Sequence, residues 1–223
     1  MNIDDVLQRI EVPEGPIIVT IFSRHKELMK KYDVIERKNG YYVPDAPYNL
    51  DDTKVQQRIK DMFWRVTEEL SEAIETIPTE FQLSEWTQFW DNQSTVRHFF
   101  EELADALHFL VEASILADLG PKKIELSSVS RDNRPLSEFN LGGVVDRVAD
   151  IILRMGFAAN TFKNKPWKLT QMPTDIHKFK RQLIEVWGFF DELWWYLNCT
   201  QKQVYVFYAK KNLVNQWRQE TNY

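Results

Sequence analysis

The run FFEELADALHFLVEASI, residues 99–115, is apolar along most of its length, yet Glu102, Asp105 and His108 recur in it every third position. Residues three and four apart share one face of a helix. The pattern therefore predicts a helix over about 96–118, with a narrow ionisable stripe closed in by Phe99, Leu103, Ala106, Phe109 and Leu110. Upstream, Val55, Ile59, Met62, Val66, Leu70 and Ile74 keep the helical period and predict a long helix over 51–77. Asp51 and Asp52 suit the positive end of its dipole, and Pro78 marks its stop.

Phe22, His25, Leu28 and Met29 share a face of a shorter helix over 21–35, preceded by GPIIVTIF, which reads as a short strand. A polar, Pro-containing loop fills 36–50. An aromatic, irregular stretch fills 79–96, and a loop or linker fills 124–140. Two amphipathic segments follow, 141–162 and 176–197, and a last helix covers about 201–219. No internal repeat interrupts this succession. The fold class is all-α, a helical bundle.

Composition narrows the function. Seven glycines in 223 residues disfavour Gly-rich phosphate loops and doubly wound sheets. A net charge of −5 argues against a chain that coats nucleic acid, since such proteins are usually basic. The single cysteine excludes an intramolecular disulfide and suits a reducing, cytoplasmic setting. The start, MNIDDVLQRI, lacks the basic and apolar regions of a secretory leader. Nor does any uncharged apolar run reach the length that spans a membrane.

The chemistry lies in two acidic pairs. Glu69 and Glu72 on one predicted helix, and Glu102 and Asp105 on the next, each stand at i and i+3, about 4.5 Å apart along the axis. About thirty positions separate the pairs, enough for a helical hairpin that sets them face to face. Either pair alone is common on a solvated helix face, the role better suited to Glu68, Glu75 and Glu101. Four inward carboxylates, by contrast, cannot all remain ionised without cations, because each unpaired buried ion costs several kcal/mol. Hard oxygen ligands suit Mg²⁺ or Mn²⁺. A di-iron bundle would require Glu-x-x-His on two helices. Only Asp105-x-x-His108 approaches it, so His108 reads as a structural histidine or one that holds a carboxylate in place.

The chain ends YAKKNLVNQWRQETNY. Lys211, Asn215 and Arg218 form one helical stripe, with Asn212 and Gln219 beside it. One reading is a solvated basic helix end favoured by the dipole. Asparagines are poor mid-helix residues, however, and phosphate and nucleoside contacts would explain them.

Taken together, EELSE, EELADALHF and KNLVNQWRQETNY resemble the dimeric all-α dUTPases and the related phage dCTP pyrophosphatases. These belong to the wider all-α nucleoside triphosphate pyrophosphatase group that includes MazG proteins. The resemblance covers about 20–115 and 185–223. It implies a single catalytic unit over 1–223, with a rigid part at 20–118, a mobile helical part at 141–200 and a nucleotide-binding helix at 201–223. It implies that Glu69, Glu72, Glu102 and Asp105 hold Mg²⁺, with Glu69 or Glu72 as the proton acceptor. Lys211, Asn212, Asn215, Arg218 and Tyr223 match the nucleotide-binding motif. Trp86 and Trp90 lie where the family carries Trp near the nucleotide, although core filling explains them equally well. His25 and Met29 stand nearest to the family's base-reading Gln and Asn, Asp91 replaces a common basic residue, and Asn222 replaces a Gly. These departures leave the base open. The implied activity is Mg²⁺-dependent cleavage of dUTP or dCTP to the monophosphate and pyrophosphate by a homodimer, in the host cytoplasm if phage-encoded. The alternatives are a MazG-like enzyme acting on other or modified nucleotides, and a catalytically silent helical interaction protein.

Overall fold

The computed structural model describes residues 10–77, 93–126, 141–163, 167–170 and 172–221. Among the described residues the regular elements are six α-helices and one short 3₁₀ turn, with no strand. The helices are α1 (Ile17–Lys38), α2 (Thr53–Glu75), α3 (Gln93–Leu116), α4 (Leu141–Ala159), α5 (Ile176–Tyr196) and α6 (Gln201–Thr221). The 3₁₀ turn, Pro121–Lys123, follows α3. The expected all-α class holds.

Among the described residues, the expected strand at 15–22 differs in type. Helix α1 begins at Ile17, directly after Pro16, whose carbonyl accepts the Val19 N–H at 3.0 Å. Strand propensity of the Ile-Ile-Val-Thr-Ile run gives way because a helix buries Ile17, Ile18, Ile21 and Phe22 together against the core. Side chains and backbone turns set the other boundaries. The Asp52 carboxylate accepts the Lys54 N–H at 2.8 Å and opens α2, and Asp175 caps α5 through the Lys178 N–H at 2.9 Å. Helix α1 closes through the Tyr41 N–H on the Glu36 carbonyl, with Gly40 in the left-handed region at φ 82°.

Helices α2 and α3 run antiparallel: Glu69 lies near Asp105 and Glu102, and Arg58 meets Glu112. The apolar stripe read from the sequence of α2 is buried except for Ile74, which is partly covered. Helix α6 lies against α1 and α3, with Tyr208 reaching both His25 and His108. Helices α4 and α5 pair antiparallel through Arg154 and Glu185, 3.0 Å apart. At the other end of this pair the Tyr196 ring occupies the space that a side chain at Gly143 would need. Trp187 of α5 is fully buried and donates its indole N–H to Ser114 of α3 at 2.8 Å. Phe100 of α3 stacks on Phe207 of α6, ring centroids 4.7 Å apart. One continuous apolar cluster takes residues from all six helices. Each fully buried large side chain in it contributes about 1.5–3 kcal/mol over exposure. This core fixes the faces of α1, α2, α3 and α6 that carry the ionisable groups.

Candidate metal and nucleotide site

The antiparallel hairpin converts the two i, i+3 pairs into a cluster. One carboxylate oxygen each from Glu69, Glu72 and Glu102 lie within 4.8 Å of one another. Glu102 is buried, Glu69 half-buried and Glu72 exposed, so the group forms a recess reached from solvent. Burial, followed by the charges of Asp105, Glu102 and Glu72, pushes the Glu69 carboxyl up to about 8. His98 approaches the cluster from the solvent side, with Nδ1 3.0 Å from Glu102 Oε1.

Asp105 stands beside the other three. Its Oδ2 is ion-paired with Lys211 Nζ of α6 at 2.5 Å. Burial raises its carboxyl to about 6 against the opposing pull of Lys211. An all-carboxylate set whose members repel one another fits a hard divalent cation bound through oxygen. The expected ligands Glu69, Glu72 and Glu102 thus converge, and Asp105 is adjacent and bridged to the C-terminal helix.

A cavity of about 310 Å³ opens on the same side, and Asp105 is part of its wall. His25, Arg58, His108, Glu112 and Asn215 line it further along. Arg58 of α2 donates to Glu36 of α1 at 2.9 Å and to Glu112 of α3 at 3.0 Å. Burial pushes Glu112 up, but His25 and Arg58 outweigh it and hold this carboxyl below its ordinary range. His25 Nε2 lies 3.7 Å from Glu112 Oε2, and its Nδ1 lies 3.2 Å from the Tyr208 hydroxyl. The His108 ring is stacked on Tyr208 at 4.1 Å and contacts the Ala104 carbonyl through Nδ1 at 2.8 Å. Burial and the neighbouring His25 lower His108 to about 3, which leaves it neutral. It therefore packs on an aromatic ring and does not hold a carboxylate in place. A larger cavity of about 700 Å³, lined by Phe22, Lys26 and Tyr48 among others, lies on another face of α1 and shares no residue with the acidic cluster.

The other expected nucleotide contacts divide in two. Asn215 lines the smaller cavity, Lys211 meets Asp105, and Arg218 is exposed near enough to act on the charge of Asp105. Asn212 is fully buried; its amide donates to the Tyr208 hydroxyl at 3.4 Å and accepts from Gln216 at 2.7 Å. That arrangement fixes Tyr208. Trp86, Trp90 and Tyr223 lie outside the described residues. Sequence reasoning missed Glu112 and Arg58, although Glu112 continues the ionisable stripe of α3 one turn beyond His108.

These features define an all-α protein with a carboxylate recess suited to a divalent cation beside a small cavity rich in polar side chains. The profile of a protein family described as dUTPase matches residues 52–223, which takes in both acidic pairs and the C-terminal helix. The chain belongs to this all-α dUTPase family. Among curated proteins and among solved structures, none matches it. No helix among the described residues is long and apolar enough to cross a membrane.

Proposed function

We propose that the protein is a divalent-cation-dependent pyrophosphatase that converts a pyrimidine deoxynucleoside triphosphate, dUTP or dCTP, into the monophosphate and pyrophosphate. The convergence of Glu69, Glu72 and Glu102, with Asp105 beside them, carries this reading. Those four residues would hold Mg²⁺ or Mn²⁺ at the triphosphate. The bound cation supplies neutralisation of phosphate charge and Lewis-acid polarisation.

The chain's own groups do the rest. Water attacks the α phosphorus, the bond to the bridging oxygen breaks, and pyrophosphate leaves. Glu69 or Glu72 accepts the proton of the attacking water. Glu69 has the more confined carboxylate, and its neighbours already favour its protonated form. Lys211 and Arg218 would stabilise charge on phosphate oxygens, Lys211 by exchanging Asp105 for the substrate. The cavity beyond Asp105 would take the nucleoside, with Asn215 and His25 against it. In this reading α4 and α5 close over the substrate, and two copies associate as a dimer. Protection from hydrogen exchange on adding a non-hydrolysable nucleotide tests the first, and light scattering tests the second.

The deciding experiment incubates the purified chain with each deoxy- and ribonucleoside triphosphate, with Mg²⁺, with Mn²⁺ and with EDTA, and separates products by chromatography. Monophosphate and pyrophosphate from dUTP or dCTP, released only with the cation, are expected. Absence of cleavage of either nucleotide would refute the proposal.

A further inference from the structure

The polar groups around the 310 Å³ cavity divide by what an entering molecule can reach. His25 Nε2, Glu36 Oε2 and His108 Nε2 have no hydrogen-bond partner, but they are closed to solvent and meet no ligand without rearrangement. Arg58 differs. Its Nη2 spends both hydrogens, on Glu36 Oε1 at 2.9 Å and on Glu112 Oε1 at 3.0 Å. A guanidinium has five N–H groups, so three remain, two on Nη1 and one on Nε. Among the described residues these meet no acceptor, and neither nitrogen is closed to solvent. The Arg58 side chain is 21% exposed and forms part of the cavity wall.

Charge decides which acceptor suits these donors. The wall carries Glu36, Asp61, Asp105 and Glu112 against Arg58 and Arg65. A phosphate entering the cavity would meet an excess of negative charge. The guanidinium itself is already balanced by two carboxylates. Its spare N–H groups therefore favour a neutral acceptor, a carbonyl oxygen, over an anion.

Position agrees with charge. Asp105, beside the acidic cluster, and Glu112, which anchors Arg58, are seven residues apart on α3. That is about 10 Å along the helix axis. With the phosphates at the cluster, a sugar and a pyrimidine ring extended along the cavity would bring the base to Arg58.

We propose that Arg58 is a base-reading residue, donating through Nη1 and Nε to a carbonyl oxygen of the pyrimidine. The inference rests on the cavity being the nucleoside end of the site, as proposed above. Uracil and cytosine share the carbonyl at C2, and uracil has a second at C4. Glu36 and Glu112 hold the guanidinium from α1 and α3 at once, so its donors are set before the base arrives. A base with no acceptor at that point displaces water from these N–H groups without replacing its hydrogen bonds, and binds less well.

The test changes single oxygen atoms of the ligand and leaves the wild-type chain intact. On the full chain with Mg²⁺, kcat/KM is measured for dUTP and dCTP, for the 2-thio derivative of each and for 4-thio-dUTP. Dissociation constants are measured for the corresponding monophosphates. Sulfur accepts hydrogen bonds weakly, so thiation of the contacted carbonyl should lower kcat/KM and monophosphate affinity by about tenfold. Arg58→Lys keeps a cation between the two carboxylates but lacks the fork, and should shrink that penalty to about twofold or less. Thermal melting confirms that the variant folds; where it does not, Arg58→Lys with Glu36→Gln, which removes one of the two anions, takes its place. Equal values for each nucleotide and its thio derivatives in the wild type overturn the inference. So does a penalty undiminished in the folded variant, which would report crowding by the larger sulfur. Cleavage and binding report separately. If no triphosphate is cleaved but the monophosphates bind, the pyrophosphatase reading fails, and their affinities alone decide the role of Arg58. Binding of none of them overturns both.

Discussion

Replacing Glu69 by Gln should stabilise the protein in the absence of divalent cation. The perturbation removes one negative charge from the recess at almost constant shape. In the wild type, burial and then Asp105, Glu102 and Glu72 raise this carboxyl to about 8 from an ordinary 4.5. Its folded-state value lies above its unfolded one. The associated stability is therefore complete below about pH 4.5 and is lost as pH rises through about 8. Unscreened, that difference corresponds to about 5 kcal/mol. Glu69 is half-buried, and solvent and mobile ions screen it, so about 1–2 kcal/mol is the appropriate expectation. For a chain of this length, this is a rise of about 2–8 °C in melting temperature. The assay is thermal unfolding of wild type and Glu69→Gln in EDTA at pH 4.5 and pH 8.5, repeated with Mg²⁺. The gain should be present at pH 8.5 in EDTA, absent at pH 4.5, and diminished or reversed with Mg²⁺, because the cation stabilises only the intact carboxylate set. Equal melting temperatures at pH 8.5 in EDTA, or the same gain at both pH values, would refute the reasoning that these acids repel one another.

Glu72→Ala should lower kcat/KM by about 10²-fold or more, while its circular dichroism spectrum and EDTA melting temperature stay at or above those of the wild type. Arg218→Ala leaves the carboxylates intact and should chiefly raise KM or the dissociation constant of a non-hydrolysable analogue, by about tenfold, in a titration at low salt. Gly143→Ala places a methyl group where the Tyr196 ring sits. It should destabilise the α4–α5 pair by about 1–3 kcal/mol, read as a lower urea midpoint without loss of the helical spectrum.

Much of the acidic cluster was legible because helix geometry imposes short spacings on the chain. Glu69, Glu72, Glu102 and Asp105 could be paired from i, i+3 arithmetic and one hairpin. The stripe of α2 could be read for the same reason. What could not be read from the sequence had no local signature. Residues 15–22 have the composition of a strand, and only the core face completed by other helices makes them the start of α1. Arg58 is one charged residue on a charged helix until α1 and α3 bring Glu36 and Glu112 within 3.0 Å of it. Asn212 shares the stripe of residues expected at the nucleotide, yet burial and Tyr208 claim its amide. His108 lies in the acidic column, but its ring turns to an aromatic partner contributed by a segment a hundred positions away.

The fork of Arg58 between Glu36 and Glu112 has an evolutionary consequence. One guanidinium ties three helices together, so neither acid can be exchanged independently to suit a new ligand. Loss of Arg58 would strand both anions, and breaking an ion pair of this kind from one side costs about 3–5 kcal/mol when it is fully buried. Lineages that retune this pocket are thus expected to alter the three positions in concert, or to route new preferences through unlinked residues along its wall.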